Sequence, residues 1–81
     1  MLLSVAQAFR VNAEAVQSRS HQPAFRAWVY LLRRASNLSL REAGERTGVS
    51  PGRISQIQRV IEAEKPAPEL AKLMQRYKVK A

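Results

Sequence analysis

Two helix-start signals lie close together in the middle of this chain, with a glycine between them. Ser39 to Glu42 has the Ser-x-x-Glu form of a capping box, in which the serine oxygen accepts a backbone amide and the glutamate returns to the cap amide. Ser50 and Pro51 combine a capping hydroxyl with a proline suited to the first helical turn. Gly48 fits a left-handed helix end. The pattern predicts a helix from about residue 40, a short turn, and a second helix from residue 51.

The second of these helices has an apolar side and a polar side. Its inward residues are predicted from their spacing to be Val49, Ile54, Ile57 and Ile61. A rotation of about 100° per residue then turns Gly52, Gln56 and Arg59 outward. Arg53 and Ser55 lie on the flanks. The small Ala43-Gly44 pair lets the two helices cross closely, which is typical of a helix-turn-helix that presents its second helix to the DNA major groove.

The remaining apolar repeats predict further helices and no strands. They cover residues 2–9, a short stretch after Asn12, 23 to about 35, and 68 to 77. A polar loop spans 17–22. Pro66 and Pro68 are expected to end the preceding helix after residue 64, because proline lacks the backbone amide that a helix needs. We therefore expect an all-α domain in residues 1–64 with a helical extension of it in 65–81. On the predicted helices at 23 to about 35 and at 68 to 77, we expect Trp28, Tyr30 and Tyr77 to pack within the domain. We expect Arg26, Arg33 and Arg34 to be exposed to solvent.

The net charge of the chain indicates which classes of partner it favours. Lys and Arg number 14 against 6 acidic residues, which gives a net charge of +8. A positive charge of this size attracts polyanions, and it favours nucleic acid as the partner over an anionic membrane or an acidic protein. Without cysteine and with one histidine, the sequence offers no metal site, and we expect no enzyme activity, cofactor or small-molecule ligand. The absence of a long apolar run or signal peptide predicts a cytoplasmic, nucleoid-associated protein.

The predicted DNA contacts divide into base readers and phosphate contacts. Arg53 can address guanine or phosphate, and Gln56 can address adenine; base contact is the role predicted for both. Gly52 allows close approach of the helix. The predicted phosphate contacts are mainly Ser50, Ser55 and Arg59, and Arg41 is a further predicted DNA contact. In the polar loop, Arg19 and His21 are either backbone or minor-groove contacts or ordinary solvated residues.

Longer segments of the sequence resemble known families. Two segments resemble the C-terminal duplex-binding domain of DnaA-type bacterial replication initiators: LLSVAQAFRVNAEAVQSRS and AFRAWVYLLRRASNLSLREAGERTGV. Their elements follow in that family's order, which is a helical hairpin, a basic loop and a long helix. The initiator's Arg-Asp-His-Thr-Thr signature is replaced by residues 50–55, so origin recognition is not implied. The chain resembles the C-terminal domain of REP-associated tyrosine transposases more closely than it resembles the initiators. This resemblance lies in the motif Gly-Val-Ser-x-x-x-Ile-Ser and in Leu73 to Lys80.

This resemblance implies a DnaA-C-terminal or Trp-repressor-like fold and a role in transposition. The domain would tether a transposase to DNA near palindromic repetitive elements. The family's nuclease carries a His-x-His pair, which a chain with one histidine cannot contain. The same resemblance favours Arg19 and His21 as contacts to the minor groove or to phosphate.

Two other interpretations remain open from the sequence. TGVSPGRISQIQ also resembles the promoter-reading region of a sigma factor, so the chain could be a promoter-binding module or a small repressor. A function of another class is a basic helical adaptor that docks an acidic protein. The sequence leaves the target DNA and the oligomeric state open.

Overall fold

Six helices follow one another in the computed structural model, which describes residues 1–79. They are α1 (Leu2–Phe9), α2 (Ala13–Gln17), α3 (Gln22–Arg34), α4 (Leu40–Thr47), α5 (Pro51–Ala63) and α6 (Pro68–Arg76). No strand occurs in that range, so the all-α prediction is confirmed. Lys80, which ends the transposase-like match, lies outside the described residues.

The ends of the central helices coincide with the capping signals in the sequence. Both halves of the capping box form, with the Glu42 amide donating to Ser39 Oγ at 3.1 Å and the Ser39 amide donating to Glu42 Oε1 at 3.3 Å. Gly48 ends α4 at φ 74°, in the left-handed region. Ser50 Oγ accepts from the Arg53 amide at 3.3 Å at the start of α5. The turn predicted between the two helices is therefore residues 48–50.

Helix α3 forms the centre of the core and is more buried than its apolar stripe predicts. Its buried residues are Ala24, Phe25, Ala27, Trp28, Val29, Tyr30, Leu31 and Leu32. The sequence predicts a single inward stripe, yet Phe25 and Val29 on the other side are also buried. The reason is that α1, α2, α4 and α5 all pack against this helix. Trp28 and Tyr30 are core residues, as expected.

Two arginines at the end of α3 are engaged within the domain, unlike the solvated role expected for them. Arg33 Nη1 donates to the Leu38 carbonyl at 2.8 Å. Arg34 Nη1 lies 3.2 Å from Glu62 Oε2, and Tyr30 Oη donates to the same carboxylate at 3.5 Å. Burial, and secondly the Glu62 carboxylate, raise the pKa of Tyr30 above its ordinary value of 10.0, so the phenol keeps its donor proton. The two contacts to Glu62 fasten α5 to α3, and the Arg33 contact holds the segment that follows α3.

The last helix packs back onto the first. Leu70, Leu73 and Met74 are buried, and Tyr77 Oη donates to Ser4 Oγ at 2.9 Å across the α1–α6 contact. Residues 68–76 therefore belong to the same core as the preceding helices.

Gly44 lies close to the backbone of the turn that follows α4. A Cβ at Gly44 would lie 2.7 Å from the Val49 carbonyl oxygen, a distance that side chains essentially never show. The obstructing atom belongs to the backbone, so it cannot rotate away as a flexible side chain can. The small residue predicted for this crossing is thus required by the observed geometry.

Gly44→Ala is expected to lower the free energy of unfolding by up to about 2 kcal/mol, because overpacking costs about 1–3 kcal/mol and is only partly offset by the roughly 1 kcal/mol that alanine gains over glycine in a helix. Gly52→Ala is the matched control, since a Cβ there would meet nothing within 4 Å. Urea denaturation followed by circular dichroism measures both. Equal stability of the two variants would contradict the close crossing at Gly44.

Candidate nucleic-acid interface

Helix α5 lies on the core through its isoleucines. Ile54 is 0% exposed and Ile57 is 5% exposed, and Val49 in the turn is buried as well. These three residues are inward, as their spacing predicts. Ile61 is half-buried, which differs from the prediction of a fully inward residue. Helix α5 is therefore fixed in rotation by its N-terminal half.

The opposite side of α5 is open to solvent. Gly52, Arg53, Gln56 and Arg59 are all exposed, and we call these four residues the outer face of α5. Ser55, predicted to be on a flank, is half-buried. Because α6 packs against α1, it leaves the N-terminal end of α5 uncovered.

The two predicted base readers are hydrogen-bonded to each other. Arg53 Nη1 donates to Gln56 Oε1 at 3.0 Å. This bond occupies the amide oxygen of Gln56 and leaves its NH₂ group as a donor, while the other guanidinium N–H groups of Arg53 keep their capacity. The pair is thus held together before any ligand is present.

The three glutamates of α4 and α5 already have partners within the domain. Glu42 closes the capping box, Glu62 pairs with Arg34, and Glu45 Oε1 lies 3.3 Å from Arg41 Nε. Within residues 1–79, no ion pair involves the arginines of the outer face. The Arg41–Glu45 pair is 89% and 67% exposed in its side chains, so a competing anion can displace the carboxylate at little cost.

Arg19 lies beside the turn that joins α4 and α5. Its Nη2 donates to the Gly48 carbonyl at 3.0 Å, and its Cζ lies 5.0 Å from the centroid of the Phe25 ring. Its own backbone is left-handed, at φ 65°. Arg19 therefore links the loop before α3 to the turn, a contact that sequence reasoning missed because the partners are 29 residues apart.

His21 is placed differently from Arg19. It is the N-cap of α3, where Nδ1 accepts from the Ala24 amide at 3.2 Å, and its ring meets Phe9 edge to face at 5.8 Å. These contacts are with α1 and α3 and do not bring it to the outer face of α5. Its position just before Gln22-Pro23 is the sequence signal that indicates a cap. Ser50 and Arg41, by contrast, stand exposed at the starts of α5 and α4.

Two other kinds of feature, a metal site and a membrane-spanning helix, can be examined in the described residues. Among residues 1–79, no group of three or more metal-ligating side chains could hold a metal ion. No helix in the same range has the length and apolar character needed to cross a membrane. Comparison of the chain with models of protein families, with curated proteins and with solved structures finds no match.

Proposed function

We propose that this chain binds double-stranded DNA through α4, the turn at residues 48–50 and α5, acting as a helix-turn-helix. The observation that carries the proposal is the exposed, basic outer face of α5 directly opposite the fully buried Ile54. A helix that is fixed on one side and open at its N-terminal end can enter a major groove without movement of its backbone. The net charge of +8 supplies attraction to phosphate.

Each exposed residue has a distinct role in this arrangement. Gly52 carries no side chain that would hold the helix away from the base edges, and Arg53 with Gln56 reads bases. The phosphate contacts are Ser50, Ser55, Arg59 and Arg41. Arg19 holds the turn through Gly48, and its remaining N–H groups are available to a phosphate beside that turn.

The proposed target is palindromic repetitive DNA, bound as the tethering domain of a transposase-like protein. This part of the proposal is supported by the sequence resemblance. Selection of bound duplexes from a random library tests it directly. Enriched sequences that form palindromic hairpins would support the transposase role, whereas enrichment of a −35-like promoter element would support the sigma-like alternative. Absence of any enrichment would contradict sequence-preferring binding.

Arg53→Ala is expected to cost about 1–3 kcal/mol of binding free energy and to relax the preference at one base pair, because a bidentate contact is lost. Arg19→Ala should weaken binding to all duplexes alike, since its predicted contact is with the backbone. Fluorescence anisotropy with the selected duplex and its single-base variants measures both effects.

Arg76→Gln is the control for these variants, because Arg76 is exposed at the end of α6 and α6 packs on α1. It should bind as the unaltered chain does. Equal, sequence-blind losses for Arg53→Ala and Arg19→Ala would refute base reading by Arg53.

A further inference from the structure

A cleft of about 360 Å³ lies along one flank of α5, between that helix, the start of α3 and the segment that leads into α6. Its apolar lining includes Ile57, Val60 and Ile61 of α5, Ala27 of α3 and Leu70 of α6. Val60 is 45% exposed and Ile61 is half-buried. The domain therefore leaves part of the apolar surface of α5 uncovered at this place, which also explains why Ile61 is less buried than its spacing predicts.

The charged groups of the cleft are mainly cationic. Arg26, Arg53 and Lys65 line it together with a single carboxylate, that of Glu64. Within residues 1–79, neither Arg26 nor Lys65 takes part in an ion pair. An apolar floor with several cations at its edge complements a molecule that has an apolar body and one anionic group.

We propose that this cleft binds a small carboxylate with an aliphatic or aromatic body. The body would lie against Ile57, Val60 and Ile61, and the carboxylate would pair with Arg26 and Arg53. The volume lies near the lower end of the roughly 300–1,000 Å³ typical of small-molecule sites. The sequence alone predicts no such ligand.

Arg53 belongs both to the cleft and to the outer face of α5. A carboxylate bound at Arg53 would compete with Gln56 and with a DNA base for the same guanidinium. We therefore expect the ligand to weaken DNA binding. This consequence rests on the proposed function, whereas binding of the carboxylate does not.

Hexanoate is the probe, titrated into the ¹⁵N-labelled chain and followed by two-dimensional NMR, with acetate and 1-hexanol as comparison ligands. Hexanoate should shift the amide signals of Val60, Ile61 and Lys65 in a saturable way. Acetate should bind at least about tenfold more weakly, because it lacks the methylenes that the apolar floor would bury. 1-Hexanol should bind about threefold or more weakly, because it lacks the charge. Equal binding of either comparison ligand would overturn the proposal, as would shifts that do not saturate.

Two pairs of variants locate the site. Val60→Glu should weaken hexanoate binding about tenfold by placing a like charge in the cleft, and Leu3→Glu is its control, since Leu3 is 69% exposed on α1. Arg26→Gln should weaken binding about fivefold through loss of one exposed ion pair, with Arg76→Gln as its control. Melting curves establish that each variant is folded. Losses in the controls as large as in the cleft variants would overturn the assignment.

DNA binding is then measured with and without saturating hexanoate. A weaker affinity in its presence, with about fivefold more hexanoate needed for half of the effect in Arg26→Gln, supports competition at Arg53. Unchanged affinity at full occupancy of the cleft overturns the competition. If the chain binds no duplex at all, the proposed function fails, and the NMR titration still decides the carboxylate site by itself.

Discussion

Ile54→Ala is expected to lower the free energy of unfolding by about 2–5 kcal/mol, the range measured for large-to-small changes in protein cores. Ile54 is 0% exposed and lies beneath the outer face of α5, where removal of its side chain leaves a cavity. A domain of this size has a total stability of roughly 4–12 kcal/mol. The variant should therefore lose a large fraction of its stability and contain a measurable unfolded population.

Val60→Ala is the matched control for Ile54→Ala. It removes a branched apolar side chain from the same helix, but at a position that is 45% exposed. Its effect should be within about 0.5 kcal/mol, as for most surface substitutions. Urea denaturation of both variants, followed by circular dichroism, gives the comparison. A loss for Ile54→Ala no greater than that for Val60→Ala would show that α5 is not anchored through this residue.

Raising the salt concentration from about 50 to about 200 mM is expected to weaken DNA binding several hundred-fold, because release of counterions from about five phosphates gives a slope near −0.9 per phosphate in log–log form. Five exposed arginines lie on α4, on α5 and in the loop that holds their turn: Arg19, Arg41, Arg46, Arg53 and Arg59. Anisotropy titrations at several salt concentrations measure the slope.

Single charge removals test which arginines contribute to that slope. Arg59→Gln should reduce its magnitude by about 0.9, equivalent to one phosphate contact. Arg76→Gln should leave it unchanged, because Arg76 lies at the end of α6. A slope near zero for the unaltered chain would contradict binding to the phosphate backbone. A slope that Arg76→Gln lowers as much as Arg59→Gln would place the contact elsewhere on the surface.

Local sequence determined the helix boundaries and the rotation of α5. The capping box at Ser39–Glu42, the left-handed Gly48 and the Ser50 cap act over three or four residues, so their pattern can be read without knowledge of the fold. The isoleucine spacing likewise sets which side of α5 is inward, because a helix turns by a fixed angle per residue. Ile54 and Ile57 are buried for that reason.

Tertiary structure alone decided which side chains from distant segments meet. Arg19 reaches the Gly48 carbonyl across 29 residues of sequence, and Tyr30 reaches Glu62 across 32. The cleft beside Val60 is also formed by segments distant in the chain. Spacing within one helix specifies the direction of a side chain but not what lies in that direction. The partners depend on how the helices pack around α3, and that packing is a property of all the apolar surfaces together.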